Sequence, residues 1–257
     1  MLCIKTSRLH LIAVVVGTAV LLSACNSDYQ LVKSNRKEYP INQDVAVDSS
    51  IIRTYQPYKV KMDAQMNQVI AHSEVLMSKK SSDTLPESLL ANFFADAVLR
   101  QAIKIDPDID LAIPSTKGGL RVDLPKGDIR VTNIFELMPF ENQLVVFTLK
   151  GTDVQRLLDF IAASNGQPVA RLQMKIVAKK PTEVRINGKP FDLAKTYKVL
   201  TTDYISGGGD KTLGFEQPVD SKVLGLKVRD ALMNDVKEIE ATGKTINSKL
   251  DGRITKG

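Results

Sequence analysis

The chain is poor in the side chains that most often carry hydrolytic chemistry. Its 257 residues include two histidines and two cysteines. A two-metal phosphoesterase centre needs several His, Asp and Asn ligands converging at close range. With only His10 and His72 present, no Asp-x-His, Gly-Asn-His or Gly-His-x-His segment exists. His10 falls in a stretch read below as a leader, and His72 falls in a predicted helix, where a surface or partly packed role is expected. Only His10 and His72 could serve as the base of a Ser-His-Asp triad. With one read as leader and the other as a packed or surface residue, no triad is assigned. Asp106 and Asp108 are read as solvated loop carboxylates. No catalytic residue and no metal ligand set is assigned to this chain.

Cysteine is as scarce, and both copies lie near the N-terminus. Lys5 and Arg8 form a positive n-region, and residues 11–22 form an apolar stretch too short for a comfortable membrane span. It ends in Leu22-Ser23-Ala24-Cys25, which resembles the lipobox of bacterial lipoproteins. That likeness makes residues 1–24 the expected signal peptide and Cys25 the expected lipidation site. The competing reading is an ordinary secretory signal with a chance cysteine. Asn26 rather than Asp follows, so no inner-membrane retention signal of the enterobacterial type is present. The expected location is the bacterial cell envelope, lipid-anchored, with the outer membrane favoured. Without Cys3, and with Cys25 acylated, the mature chain would have no thiol for a disulfide, a metal or a nucleophile. Its stability would then rest on a core, which about 200 residues can supply.

Charge of one sign is also limited. The formal net charge is +6, and losing Lys5 and Arg8 would leave 33 Lys and Arg against 29 Asp and Glu, a net of +4. No Lys/Arg run with interleaved aromatics occurs, so a nucleic-acid polymer is not an expected partner. Short anionic ligands remain open.

Along the chain, residues 25–50 are polar without a sustained period and read as a tether. Residues 51–257 read as one domain, with its first ordered stretch expected at 51–58. Val60, Met62, Met66, Val69, Ile70 and Val75 predict a helix over 59–79. The segment 81–86 breaks it, and Pro86 is expected to open a second helix reaching about Lys104, with a broad apolar side. Past Ile109, short strands and helices alternate. A helix is predicted over 151–163, strands over 169–178, 184–186 and 197–202, and a hairpin turn at Asn187-Gly188. A last amphipathic helix is predicted over 222–240 and an edge segment over 245–253. Paired strands among helices point to an α+β layered domain with a mixed sheet rather than a doubly wound parallel one.

Three segments carry the chemistry that is present. Thr201-Thr-Asp-Tyr-Ile-Ser-Gly-Gly-Gly-Asp210 takes a strand exit into three glycines and a carboxylate. Glycines at such a point allow close backbone approach, and Tyr204 with Asp210 adds an aromatic face and an acceptor, a pairing that suits a nucleoside. Taken alone, the segment also fits a surface hairpin. Ser115-Thr-Lys-Gly-Gly-Leu-Arg121 repeats the strand-to-glycine pattern with an arginine beyond it. Leu137-Met-Pro-Phe-Glu-Asn142 ends a helical stretch before the strand predicted from Gln143 to Leu149.

In order and spacing, these segments resemble the C-terminal domain of the 5'-nucleotidases, whose usual patterns are Asn-Gly-Gly-x-Ile-Arg, Pro-Phe-x-Asn and Phe-x-x-x-Gly-Gly-Asp. The likeness extends from about Tyr55 to Ile254. It includes Glu87–Ala97 as the opening helix, Val184–Pro190 as a hairpin and Asp251–Ile254 as the closing strand. The resemblance implies a single layered mixed-sheet domain of that type. It also implies a base sandwiched between Phe140 and Tyr204, with only the ring face of Tyr204 in use. Asp210 would accept from ribose hydroxyls, Asn142 would address the base edge, and Arg121 would meet the phosphate, where a guanidinium fork fits two oxygens.

Departures are part of the reading. Thr116 stands where the family has Asn, and Lys117 replaces a glycine. The segment Asp83–Pro86 lacks the arginines that often precede the opening helix. Ala170-Arg171 replaces a Ser-Gly near the base pocket. Either Lys117 and Arg171 restore a phosphate grip, or the site has drifted. The resemblance implies a nucleotide- or nucleoside-recognition domain of a split 5'-nucleotidase, inactive alone, serving nucleotide catabolism with a separately encoded metallophosphatase. That partner, and not this chain, would hold the divalent metals. The alternative is a non-catalytic envelope lipoprotein that binds nucleosides or serves a structural role.

Overall fold

A computed structural model describes residues 31, 33–42, 45–81 and 85–257. The leader 1–24, Cys25, parts of the tether and the segment at Asp83 lie outside the described residues. The chain divides into two units, Met1–Ile52 and Arg53–Gly257.

The first helix, α1 (Ser49–Met66), starts earlier and ends earlier than its periodicity predicts. Asp48 sets the start, because its carboxylate accepts from the Ser50 backbone N–H at 2.8 Å and from the Ser50 hydroxyl at 2.6 Å. None of its residues is buried. The apolar residues after it belong to a strand, β1 (Val69–Ser73), which pairs antiparallel with β3 (Gly127–Arg130). His72 is therefore a strand residue, with Nδ1 3.1 Å from Glu240 and Nε2 3.2 Å from Asp128.

Helix α2 (Leu89–Ala102) begins three residues after Pro86, where the Ser88 hydroxyl caps the Ala91 N–H at 3.2 Å. Leu90, Phe94, Ala97 and Val98 are fully enclosed. The central sheet runs β2 (Leu111–Ala112), β8 (Thr196–Thr202), β4 (Gln143–Lys150) and β9 (Asp220–Lys227) in that order. β2 is parallel to β8, while β4 runs antiparallel to both β8 and β9. The mixed pairing is that of an α+β layered domain.

Period-two alternation gives this sheet two faces. Leu144, Val146 and Leu200 face one core with α2 and α6 (Val228–Ala241). Leu149, Tyr197 and Val199 face a second core built on Val154, Leu157, Leu158 and Ile161 of α4 (Gly151–Ala163). That core is closed by a second mixed sheet. In it β5 (Leu172–Val177) lies between β10 (Ile254–Lys256) and β6 (Lys180–Ile186), and β7 (Lys189–Pro190) lies outside β6. Each enclosed Leu, Ile or Val side chain contributes about 1.5–3 kcal/mol.

The predicted helix over 222–240 splits: residues 220–227 form β9 and only 228–241 are helical. The predicted edge segment over 245–253 is displaced to Ile254–Lys256, where β10 is parallel to β5. Arg253 explains the docking of this end. It donates to Asp96 at 2.9 Å and 2.8 Å, to Asp251, and to the Val169 carbonyl at 2.8 Å. Asp106 is not solvated. It is 5% exposed and lies 3.2 Å from both Lys198 and Lys222, whereas the Asp108 side chain is 79% exposed.

Candidate functional site

At the C-terminal ends of the parallel pair β2 and β8, the chain must turn away from the sheet, and both turns contain adjacent glycines. After β8, the Thr202 hydroxyl caps the Ile205 N–H at 3.4 Å and starts α5 (Asp203–Ser206). The turn then reverses through Gly208, with φ +86°, and Asp210, with φ 54°. After β2, residues 117–119 form a single 3-10 turn. Between α3 (Val131–Leu137) and β4 lies the loop 138–142, anchored from below by Arg229. The guanidinium of Arg229 is paired with Glu141 and lies 4.2 Å from the Phe135 ring centroid, while Nη1 approaches the Phe140 carbonyl at 3.5 Å.

These three segments enclose a cleft of about 240 Å³. Phe140, Tyr204, Asp210, Asn142 and Arg121 line it, together with the glycine loop and Thr202. Phe140 is 39% exposed and Tyr204 is 50% exposed, so both aromatic side chains are partly open to solvent. Gly209 backs the Tyr204 ring: a Cβ there would lie 2.5 Å from Cε1 and 2.6 Å from Cδ1. The backbone at Gly209 thus runs close against the ring. Neither the Phe140 ring nor the Tyr204 ring pairs with another aromatic among the described residues.

The Tyr204 hydroxyl is not idle, contrary to the ring-face expectation. It donates to Asp210 Oδ1 at 3.0 Å, and this bond to a carboxylate raises the phenol above its ordinary pKa. Thr116, 3% exposed, does not line the cleft but donates its hydroxyl to Asp210 Oδ2. Arg121 donates from Nη1 to the Gly118 carbonyl at 3.2 Å and remains exposed.

Besides Thr116, two more of the expected substrate-binding residues lie off the cleft. Lys117 turns under the loop, with Nζ 2.6 Å from the Asn165 carbonyl and 3.1 Å from the Ser81 hydroxyl. Burial there lowers its pKa. Arg171, at φ 58°, bonds the Ile109 carbonyl and borders a separate surface depression with Asn187 and Arg253. Neither cation lines the cleft, so neither restores a phosphate grip in this conformation. Arg121 is the cation that lines it among the described residues. Gly209 and Arg229 were missed as supports. The glycine run signalled the first, but nothing local in the sequence marks the second.

Comparisons with known proteins bear on the family and the fold. The profile described as 5'-nucleotidase, C-terminal domain, matches residues 69–217. The trifunctional nucleotide phosphoesterase protein YfkN of Bacillus subtilis is 25% identical over 244 residues, 86% of this chain and 16% of that protein. Protein UshA of Yersinia enterocolitica is 29% identical over 174 residues, 65% of this chain and 30% of that one. Among solved structures, the 5'-nucleotidase precursor of Thermus thermophilus superposes with a TM-score of 0.63 at 27% identity. It covers 80% of this chain and 42% of its own length. The chain therefore spans less than half the length of each of these relatives. With the profile covering more than half of its residues, and the fold and motif order in agreement, the chain belongs to the 5'-nucleotidase C-terminal domain family.

Proposed function

We propose that this domain binds a nucleoside or nucleotide in the cleft and presents it to a metallophosphatase on a separate chain. The observation that carries this reading is the convergence of Phe140, Tyr204, Asn142, Asp210 and Arg121 from three distant segments onto one slot. A base would lie between the rings, its edge toward Asn142, with ribose hydroxyls donating to Asp210. Similarity to proteins described as 5'-nucleotidases supports the ligand class. With two histidines in the sequence, the divalent metals and the hydrolytic step are assigned to the partner. This chain binds and orients. Lipid anchoring through Cys25 would hold it at the envelope.

The reading is tested by phosphate release from AMP with manganese. Purified protein alone should give none above blank, and release should appear on adding an exported metallophosphatase that copurifies with it. Activity of the lone protein that survives repurification and scales with its concentration would overturn the division of labour. A second reading, a non-catalytic nucleoside binder, is favoured by the placement of Lys117 and Arg171, which leaves Arg121 to face a phosphate. Adenosine binding as tightly as AMP, with no copurifying phosphatase, would select it.

A further inference from the structure

We propose that the hydroxyls of Thr116 and Tyr204 are positioning groups that fix the Asp210 carboxylate as a two-point acceptor for a vicinal cis-diol. This inference rests on the nucleoside reading and adds a determinant of sugar selectivity to it. Asp210 lies on a left-handed turn residue, at φ 54°, between Gly209 and Lys211, and it is exposed. A carboxylate in such a place would normally sample several rotamers. Here Oδ2 accepts from Thr116, whose side chain is enclosed, and Oδ1 accepts from Tyr204 at 3.0 Å. The two donors come from different segments, one from the loop after β2 and the other from α5.

Gly118 borders the pair: a Cβ there would stand at ordinary contact distance, 3.7 Å from Thr116 Oγ1 and 3.8 Å from Asp210 Oδ2. An ionised carboxylate has about four acceptor positions. Two are occupied, and one remains on each oxygen, a spacing that two adjacent hydroxyls can satisfy together. Fixing the acceptor before the ligand arrives removes an ordering cost from binding. The rigid ring of Tyr204 then serves both purposes, with its face on the base and its hydroxyl on the group that holds the sugar.

The test uses the purified protein and calorimetric titration with adenosine and 2',3'-dideoxyadenosine. Tyr204→Phe keeps the ring, and Thr116→Val keeps the volume, so each removes one donor. Each should weaken adenosine by about 3- to 10-fold while the dideoxy analogue changes by less than about 2-fold. The double variant should bring the two ligands close to equal affinity. Thr116→Ser, which retains the donor, should restore most of the adenosine preference. Thermal unfolding of each variant checks that the fold is kept.

Equal losses for both ligands, or no loss for either, would overturn the positioning role while leaving the nucleoside site intact. If the unmutated protein binds neither ligand at millimolar concentration, the nucleoside reading itself fails and this inference falls with it.

Discussion

Gly209 offers a way to move one wall of the cleft without replacing a residue that lines it. A methyl group at this position would meet Tyr204 Cε1 and the Tyr204 carbonyl oxygen at 2.5 Å, and Cδ1 at 2.6 Å. Carbon contacts settle at about 3.5–4.0 Å, so the ring and the backbone beneath it must retreat by about 1 Å. The conflict is steric, because Gly209 has no left-handed φ. Its neighbour Gly208 is the reverse case: φ is +86°, and a Cβ there would meet nothing within 4 Å. Gly208→Ala should therefore cost about 1–2 kcal/mol through its backbone angle alone. Gly209→Ala should cost about 1–3 kcal/mol through overpacking.

Since 1 kcal/mol moves the midpoint of a domain this size by about 2–4 °C, both variants should unfold a few degrees early. Only Gly209→Ala displaces the stacking face, so it should weaken adenosine by about tenfold or more, while Gly208→Ala stays within about threefold. Differential scanning calorimetry and isothermal titration on the same preparations separate the two effects. Adenosine binding that is unchanged in Gly209→Ala, despite the expected loss of stability, would refute the use of the Tyr204 ring as a stacking face.

Other consequences are independent of that ring. Burial alone would raise the Asp106 carboxyl, but the hydrogen-bonding ammonium groups of Lys198 and Lys222 more than reverse this and hold it below its ordinary value. Its contribution to stability is therefore complete above the unfolded pKa and is lost as pH falls through the lower folded value. Asp106→Asn should destabilise by about 1–3 kcal/mol at pH 7, a difference that denaturant unfolding should show shrinking below about pH 4. Arg171→Gly should leave AMP affinity within about twofold in a competition titration, because its guanidinium is engaged at the Ile109 carbonyl outside the cleft. A clear gain or loss would mean that Arg171 reaches the ligand. Cys25→Ser should move the protein from the membrane to the soluble envelope fraction, since firm anchoring needs acyl chains worth about 0.8 kcal/mol per buried methylene. Retention in the membrane fraction would point to another anchor.

The parts of the fold that were legible in the sequence are those where local pattern and tertiary demand coincide. The helix over 151–163 has one apolar stripe and one place to bury it, and its bounds agree with the structure. The Asn187-Gly188 turn has positive φ at both residues, as a tight hairpin of this kind requires. The errors occurred where one apolar run served two elements. Val60 to Met66 and Val69 to Ser73 share a helical spacing across a break at 67–68, and pairing with β3 makes the second part a strand. Leu224 and Leu226 continue the period of α6 but are drawn into β9 by the free edge of β4. Periodicity cannot register a partner strand about 80 residues away in sequence.

For the site, the glycine turns and the Pro-Phe loop identified the cleft walls. The directions of Lys117 and Arg171 were not legible. Both depend on carbonyls, of Asn165 and Ile109, that only the folded chain brings within reach.

The central claim is that a nucleoside binds between Phe140 and Tyr204. The most direct measurement is an NMR titration of the isotope-labelled protein with adenosine, following the backbone and aromatic signals of both rings. Saturable shifts should concentrate on Phe140, Asn142, Tyr204, Asp210 and the 115–121 loop, with β5 to β7 unmoved. No shift at millimolar adenosine or AMP, even with a metallophosphatase partner present, or saturable shifts confined to another face, would contradict the account.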